Sequence, residues 1–406
     1  MLGLASVLTA SSTSEQLYSL TLDGTGDYLD LGDVLDRGTG DFSVSFWTKI
    51  THEDIDDQSF ISKKVDSNDF WRIRIVHASE SSASKIYVVG KGNGDGSVAF
   101  AITGGDVMDS FLNTWVHICV TIDRDGNGVI YVNGVTTTYG ATTDISSGSS
   151  YNLDNTGDLE IGAFGGSGME GNMDEVAIWN VALDEDAVVA IYNDGKPFNL
   201  NNDRGNYDNS SALEGYWRMG NGSFDDIANG VAHDAHNPGL GSELVTDNEF
   251  PDTTNWSATS NIDEDYSGEG VLISTDGDSD QYGGYYQNDI ELVDGKVYKA
   301  EYDCLSIDED GDTSAIRFIV MGGTGGDSDY RPLPGETPSM AVGKNVYYFR
   351  FDQASNNNDT TMKLYIQMTN GHTHSKSIRL KSVSLKQLNG YPGITAADAV
   401  MIRQPI

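Results

Sequence analysis

Short stretches in which apolar and polar residues alternate recur along most of the chain. In residues 17–200 they include 42–46, 71–75 and 116–122. Alternation with a period of two, bounded by Gly, Asp and Asn clusters, is typical of antiparallel strands that bury one face. The clearest hairpin spans 119–132, with turn residues at its centre. The pattern predicts a β-sandwich.

One short helix is predicted inside this block, over about residues 184–193. Asp184 is a good N-cap, and Glu185 follows it at the positive end of the helix dipole. Gly195 and Pro197 are expected to end the helix. The rest of the block is predicted to be strand and turn.

Composition changes after residue 199, where Asn, Asp and Gly dominate around an apolar island at 213–219. A second block of alternating residues follows, without a helix signal. We therefore predict an all-β chain of two antiparallel sandwich domains, divided as follows: an N-terminal attachment peptide 1–16, a first sandwich 17–200, a linker 201–241 with one docked strand, a second sandwich 242–388 and a C-terminal tail 389–406.

The charge of the chain restricts its partners. Its 406 residues include 62 acidic and 24 basic side chains, a formal net charge of −38. No basic stripe is visible in the sequence, so we expect neither nucleic acid nor an anionic membrane as a partner. No apolar run is long enough to span a membrane. The first basic residue is Arg37, so no secretory signal is expected either.

Residues with catalytic or metal-binding chemistry are sparse. Cys119 and Cys304 lie far apart in strand-like patterns and are predicted to be buried free thiols. The segment 123–128 begins like a calcium-binding EF-hand loop, but the twelfth position is Gly134 where that loop needs Glu. We interpret the segment as a tight turn.

The first block resembles the laminin-G-like, concanavalin A-like lectin/glucanase domain. Matching segments occur in order at 19–29, 42–47, 113–123, 129–134, 159–162 and 171–179. The resemblance implies a jelly-roll sandwich over residues 17–200. The second block is similar to carbohydrate-binding jelly rolls at 244–250, Trp256, 293–298 and 378–385.

Three further segments resemble structural proteins of tailed bacteriophages, particularly marine ones. They are Met1-Leu-Gly-Leu4, Glu214-Gly-Tyr-Trp-Arg-Met219 and residues 385–394. This resemblance implies a virion protein.

Lectin-like sandwiches often hold a structural calcium ion between an Asp near the first strand and another near the last. The matching positions are Asp23 and Asp174, which the jelly roll would bring together around one cation. The alternative, left open, is that Asp23 only shapes its turn through an Asx hydrogen bond.

Sandwich enzymes that cleave β-glucans carry a Glu-x-Asp-x-x-Glu strand. The nearest match, Glu301-Tyr-Asp-Cys-Leu-Ser306, lacks the third carboxylate and lies in the second block. The equivalent strand of the first block has only the adjacent pair Asp174 and Glu175, which a regular strand would point to opposite faces. We therefore expect a protein that is not an enzyme.

Exposed aromatic side chains are the usual platforms for sugar rings. The loop-like stretch 281–287 makes Tyr282, Tyr285 and Tyr286 the predicted carbohydrate-binding residues, with Trp71 and Trp256 as further candidates. Trp47, Trp115 and Trp179 lie in strong alternating patterns and are predicted to belong to the core.

These observations favour a non-enzymatic bacteriophage virion protein, such as a tail fibre, an appendage or a capsid decoration. It would dock on other virion proteins through residues 1–16 and bind host-surface glycans, with calcium as a possible cofactor. A homotrimer is expected from the way phage fibres are usually built. The alternatives are a secreted bacterial carbohydrate-binding lectin, a glycan-cleaving enzyme and a purely architectural sandwich.

Overall fold

The computed structural model describes residues 18–404 apart from 52–57, 79–81, 107, 137–140, 166, 253, 260–261, 276–282, 309–315, 323–328, 331–339, 357, 369–375 and 397–398. Its internal contacts divide the chain into two compact units. Unit 1 comprises Met1–Asp30, Val34–His236 and Asp398–Ile406, and unit 2 comprises Leu31–Asp33 and Asn237–Ala397.

The strands are β1 Ser19–Asp23, β2 Tyr28–Asp30, β3 Phe42–Ile50, β4 Ser59–Lys64, β5 Phe70–Ala78, β6 Ser82–Gly92, β7 Ser97–Asp106, β8 Val116–Ile122, β9 Asn127–Val132, β10 Ala141–Asp144, β11 Leu159–Ile161, β12 Ala163–Phe164, β13 Ser167–Gly168, β14 Glu170–Trp179, β15 Leu213–Trp217, β16 Val231–Ala232, β17 Leu240–Glu243, β18 Ser257–Ala258, β19 Ile262–Asp265, β20 Val271–Thr275, β21 Gly283–Glu291, β22 Val297–Asp308, β23 Ile316–Gly322, β24 Asp329–Tyr330, β25 Gly343–Arg350, β26 Thr361–Met368, β27 Ser377–Leu388, β28 Gly393–Ala396 and β29 Val400–Ile402. The α-helix is α1, Glu185–Tyr192. Short 3-10 helices lie at Met108–Phe111, Ser146–Gly148, Asn193–Gly195, Ser210–Ala212, Ile227–Asn229 and Ala354–Asn356.

Unit 1 is a sandwich of two antiparallel sheets. The back sheet has the order β10-β9-β8-β3-β14-β1-β29, with β15 also paired to β14. The front sheet contains β2-β11-β4-β5-β6-β7 in that order. Apolar side chains of both sheets meet in the core, where Phe42 packs on Trp71 and Phe46 on Phe60 with ring centroids 5.6 Å and 5.0 Å apart. The predicted all-β sandwich with one short α-helix is confirmed.

The helix α1 spans nearly the range that the sequence predicts, from the cap at Asp184 to the cap at Asn193. The Asp184 carboxylate accepts a hydrogen bond from the Ala187 N–H at 2.8 Å, as an N-cap does. Asn193 ends the helix in the left-handed region with φ 47°, two residues before the predicted Gly195. Val188 and Ile191 are buried in a cluster with residues of the back sheet.

The predicted linker 201–241 is largely a packed part of unit 1. Tyr207 and Tyr216 are fully buried, and the Tyr207 hydroxyl accepts a hydrogen bond from Trp179 Nε1 at 3.2 Å. The island at 213–219 supplies β15, which pairs with β14. The polar composition misled the prediction because a few aromatic anchors are enough to hold Asn- and Gly-rich turns against a sheet.

The chain ends also differ from the prediction. The predicted tail 389–406 contains β29, which pairs with β1 at the edge of the back sheet. The predicted attachment peptide 1–16 lies outside the described residues.

Unit 2 is a second antiparallel sandwich. One sheet has the order β19-β20-β27-β22-β25, with β17 also paired to β27, and the other has the order β18-β21-β26-β23-β24. One core cluster includes buried residues of both sheets, among them Tyr298, Phe318 and Leu385.

Both cysteines are free and buried, as predicted. Burial raises the pKa of the Cys304 thiol to about 11 and holds the pKa of Cys119 above its usual value. Neither thiol is therefore a ready nucleophile. In the part of the chain that the structure describes, no helix is long and apolar enough to cross a membrane.

Candidate functional site

The predicted calcium pair lies on paired strands but does not converge. β1 and β14 are neighbours, and their register places Asp23 opposite Glu170. Asp174 is four residues further along β14, which corresponds to about 13 Å. Asp23 is exposed and accepts a hydrogen bond from the Thr25 N–H at 2.8 Å, which is the Asx-turn alternative. These two residues do not fit a shared cation, and calcium binding elsewhere stays a prediction.

The described residues offer no other ready metal site. Among them, no group of three or more His, Cys, Asp or Glu side chains could hold a metal ion.

Asp174 instead belongs to a buried charge cluster with Glu175, Tyr216 and Arg218. The pairing of β14 with β3 shifts register between Asp174 and Ala177, and Glu175 has a left-handed φ of 50°. This bulge breaks the regular alternation on which the prediction of opposite faces rested. Glu175 Oε1 accepts from Arg218 Nε at 2.9 Å, and its other oxygen accepts from the Tyr216 hydroxyl.

Electrostatics in the charge cluster are set by burial. The pKa of Asp174 is held well above its usual range, first by burial and then by the negative charge of Glu175, while Arg218 partly offsets both. Asp174 is fully buried and Glu175 is 3% exposed, so the pair presents very little surface to a sugar substrate.

A small open pocket next to the charge cluster contains a Ser–His contact. Ser45 Oγ lies 2.7 Å from His117 Nε2, and Glu175 also lines the pocket. Burial lowers the pKa of His117 to about 3, so the imidazole is neutral near pH 7. An imidazole with so low a pKa is a poor general base for Ser45.

The predicted sugar-binding tyrosines occupy different environments. Tyr282 lies outside the described residues. Tyr285 is fully buried and stacks on Trp256 with ring centroids 5.1 Å apart. Tyr286 is half-buried and stacks on Tyr365 at 5.7 Å. A role for Tyr286 therefore stays a prediction, whereas Tyr285 has no exposed ring face to offer.

The predicted exposed loop 281–287 is wrong from Gly283 onward, because β21 begins there. A Cβ on Gly284 would lie 2.5 Å from the Tyr365 ring, so glycine is needed there to make room for that ring.

The other tryptophans are mostly core residues. Trp71 and Trp256, the further sugar-platform candidates, are both buried. Trp47 and Trp179 are buried as predicted, and Trp115 is only half-buried.

The outward side of the front sheet carries a group of cations and aromatic rings that sequence reasoning did not assemble. We call it the basic-aromatic face. Along β5, Trp71, Ile73 and Ile75 are buried in the core, so alternation turns the intervening side chains outward. The register of β4, β5 and β6 places Lys64 and Lys91 on either side of Phe70, and Tyr87 opposite Arg74. The face consists of Lys64, Phe70, Arg72, Arg74, Lys85, Tyr87 and Lys91, joined by Phe164 from β12.

Most cations of this face lie against aromatic rings. Lys64 Nζ and Arg72 Cζ lie 4.3 Å and 4.1 Å from the centroid of the Phe164 ring. Arg74 Cζ lies 5.0 Å from the Tyr87 centroid, and Lys91 Nζ lies 5.5 Å from that of Phe70. These distances are within the range of cation–π attraction.

The face remains partly accessible. Arg72 and Phe70 are buried, while Phe164, Tyr87 and the other cations are half-buried. On the neighbouring strand, opposite Lys91, Val98 is 51% exposed. An external ligand could therefore reach Phe164, Tyr87 and the half-buried cations together.

The sequence shows no basic stripe, yet the paired strands gather basic residues at this place. Five of the 24 basic residues share the basic-aromatic face. They are separated by up to 27 positions along the chain, and strand pairing brings them together. On β11, Glu160 lies in the same cross-strand row as Arg72, and burial raises the pKa of its carboxyl while Lys64 opposes that rise.

In unit 2, the near-match to the glucanase motif forms an open pocket. Glu301 and Asp303 both line it, together with Ser382, Ser384 and Lys344. The third motif position is Ser306, so the carboxylate set that the motif needs is incomplete in this strand.

Comparison with known proteins locates a family match in unit 1. Residues 23–189 match the model of the concanavalin A-like lectin/glucanases superfamily. No curated protein matches the chain.

Solved structures similar to the chain come from several sources. A native heptameric SAP-like pentraxin from Limulus polyphemus is 16% identical over 44% of this chain and 82% of that chain, with a TM-score of 0.35. A candidate carbohydrate binding protein from Bacteroides ovatus is 19% identical over 54% of this chain and 56% of that chain, with a TM-score of 0.39. The enzymatically active domain of tailspike protein 2 from bacteriophage CBA120 is 14% identical over 40% of this chain and 25% of that chain, with a TM-score of 0.32. The family match over residues 23–189 and the two antiparallel sheets of unit 1 together show a concanavalin A-like sandwich fold.

Proposed function

We propose that the chain is a non-enzymatic glycan-binding protein and that the basic-aromatic face is its binding site. The observation that carries this proposal is the half-buried Phe164 ring, which lies against two cations on an outward sheet face. Flat apolar rings stack on the apolar faces of sugars, and nearby donors bind the hydroxyl groups.

Phe164→Ala is expected to weaken glycan binding by about tenfold, because an aromatic contact of this kind contributes on the order of 1–2 kcal/mol. The measurement is titration of the full chain with the strongest ligand found on an array of bacterial surface polysaccharides. Thermal unfolding of the same variant checks that the sandwich remains folded.

Phe224→Ala is the matched control, because Phe224 is an exposed phenylalanine of the same unit outside the face. It should bind as the parent does. If the Phe164 variant bound the glycan as tightly as the parent, the basic-aromatic face would not be the binding site.

We also propose that the protein acts in the virion of a tailed bacteriophage, as a homotrimer attached to other virion proteins through residues 1–16. The resemblance of 1–4, 214–219 and 385–394 to tailed-phage structural proteins supports this role. In the fold, Trp217 and Met219 of the second segment are fully buried, so that segment also has a packing role.

Immunogold labelling of purified phage particles tests the virion role, with the host cell envelope as the comparison. We expect discrete labelling of the tail or the capsid. Unlabelled particles beside a labelled cell surface would contradict the virion role and favour a secreted bacterial lectin.

A further inference from the structure

We infer that the basic-aromatic face selects anionic glycans, whose sugars carry carboxylate or sulfate groups. The inference rests on the proposed function and specifies the chemical class of its ligand. It starts from the contrast between this face and the rest of a chain with net charge −38.

Positive charge is concentrated on the basic-aromatic face. Lys64, Arg72 and Arg74 lie on two adjacent strands, and Lys85 and Lys91 lie on the third. Adjacent strands are about 4.8 Å apart, and the six positions from Lys85 to Lys91 span about 20 Å. The cations therefore form a strip that matches an extended oligosaccharide of a few sugars with recurring negative charges.

Aromatic rings lie next to the charged groups of the face. The rings of Phe164, Tyr87 and Phe70 lie within 6 Å of cationic groups of the face. Partial removal of water by these rings strengthens the attraction between such a cation and an approaching anion. The arginine guanidinium also has the planar donor geometry that fits a carboxylate with two parallel hydrogen bonds.

The face fits an anionic glycan better than duplex DNA. Duplex DNA carries one charge per about 1.7 Å of helix axis and continues well beyond a strip of this length. The extra phosphates would meet a strongly acidic chain, which opposes binding. A glycan offers apolar ring faces to Phe164 and Tyr87 between its charged groups, which a phosphate backbone does not.

The test uses the full chain and two forms of one polymer, polygalacturonate and the same polymer after reduction of its carboxyl groups. We expect the carboxylated form to bind at least tenfold tighter, and its binding to weaken between about 50 and 500 mM salt. Lys64→Met and Arg74→Met should each weaken binding of the carboxylated form by about tenfold, because each removes a charge-assisted contact. Methionine keeps an apolar stem in place of each cationic side chain.

Lys196→Met is the matched control, because Lys196 is an exposed cation of unit 1 outside the face. It should leave binding unchanged. Equal affinity for the two polymers would overturn the anionic selectivity and leave glycan binding in place. Binding of neither polymer, together with no ligand on the polysaccharide array, would overturn the proposed function itself. Duplex DNA that binds as tightly as polygalacturonate would overturn selection for glycans.

Discussion

Arg218→Met is expected to lower the free energy of unfolding of unit 1 by about 3–5 kcal/mol, because it leaves a buried carboxylate without its ion-pair partner. Arg218 Nε lies 2.9 Å from Glu175 Oε1, and both side chains are buried. Hydrogen exchange in β14 and β15, measured during chemical denaturation, reports the effect in the strands next to and containing the pair.

The loss should be larger at pH 8 than at pH 5. The pKa of Asp174 is raised in the folded protein, so the folded state binds more protons than the unfolded state between the unfolded pKa of about 3.9 and the raised folded pKa. Stability from this group is therefore lost as the pH rises through the folded pKa. Arg218 normally lowers the pKa of Asp174, so its removal raises that pKa further and increases the cost of ionisation.

Two further variants make this prediction sharper. Arg204→Met removes an exposed arginine of the same unit and should change stability by no more than about 0.5 kcal/mol. Adding Glu175→Gln to Arg218→Met should recover part of the loss, since it removes the uncompensated charge. A loss below about 1 kcal/mol in the single variant would mean that water screens the pair as it does at a surface.

Trp256→Ala is expected to destabilise unit 2 by about 3–5 kcal/mol, the usual cost of removing a large aromatic side chain from a core. The indole stacks on Tyr285 at 5.1 Å and packs on Phe250 at 4.9 Å. Its Nε1 also donates to the Asp247 carbonyl oxygen at 3.3 Å. Hydrogen exchange in β21 and β26 reports the loss in the sheet that contains Tyr285.

Trp256→Phe is the matched variant, because it keeps a ring in the cavity and should cost less. Glycan binding by the basic-aromatic face should be unchanged wherever unit 1 remains folded. If Trp256→Ala kept its stability but lost glycan binding, Trp256 would be an exposed sugar platform and not a core residue.

The strands and the helix could be predicted because local sequence controls them. Alternation along 71–75 identified a strand with one buried face, and Asp184 identified the start of α1. Both signals depend on neighbouring residues, which stay neighbours in the fold.

The candidate site could not be predicted in the same way. Tyr285 was predicted to lie in an exposed loop over 281–287, yet it lies in β21, where Gly284 makes room for the Tyr365 ring of the neighbouring strand. The side chains of Asp174 and Glu175 were predicted to point to opposite faces of a regular strand. The bulge in β14 breaks that alternation. Each outcome depends on a contact with a residue distant in sequence.

The sequence by itself therefore determined an all-β chain with two sandwiches, one short α-helix and two buried thiols. Only the tertiary structure decided which polar and aromatic residues share a surface. Lys64, Lys91 and Phe164 come together because strand register and the β12–β13 hairpin place them on one face. Hydrophobic alternation specifies which side of a strand is buried, whereas pairing between distant strands decides which exposed side chains become neighbours.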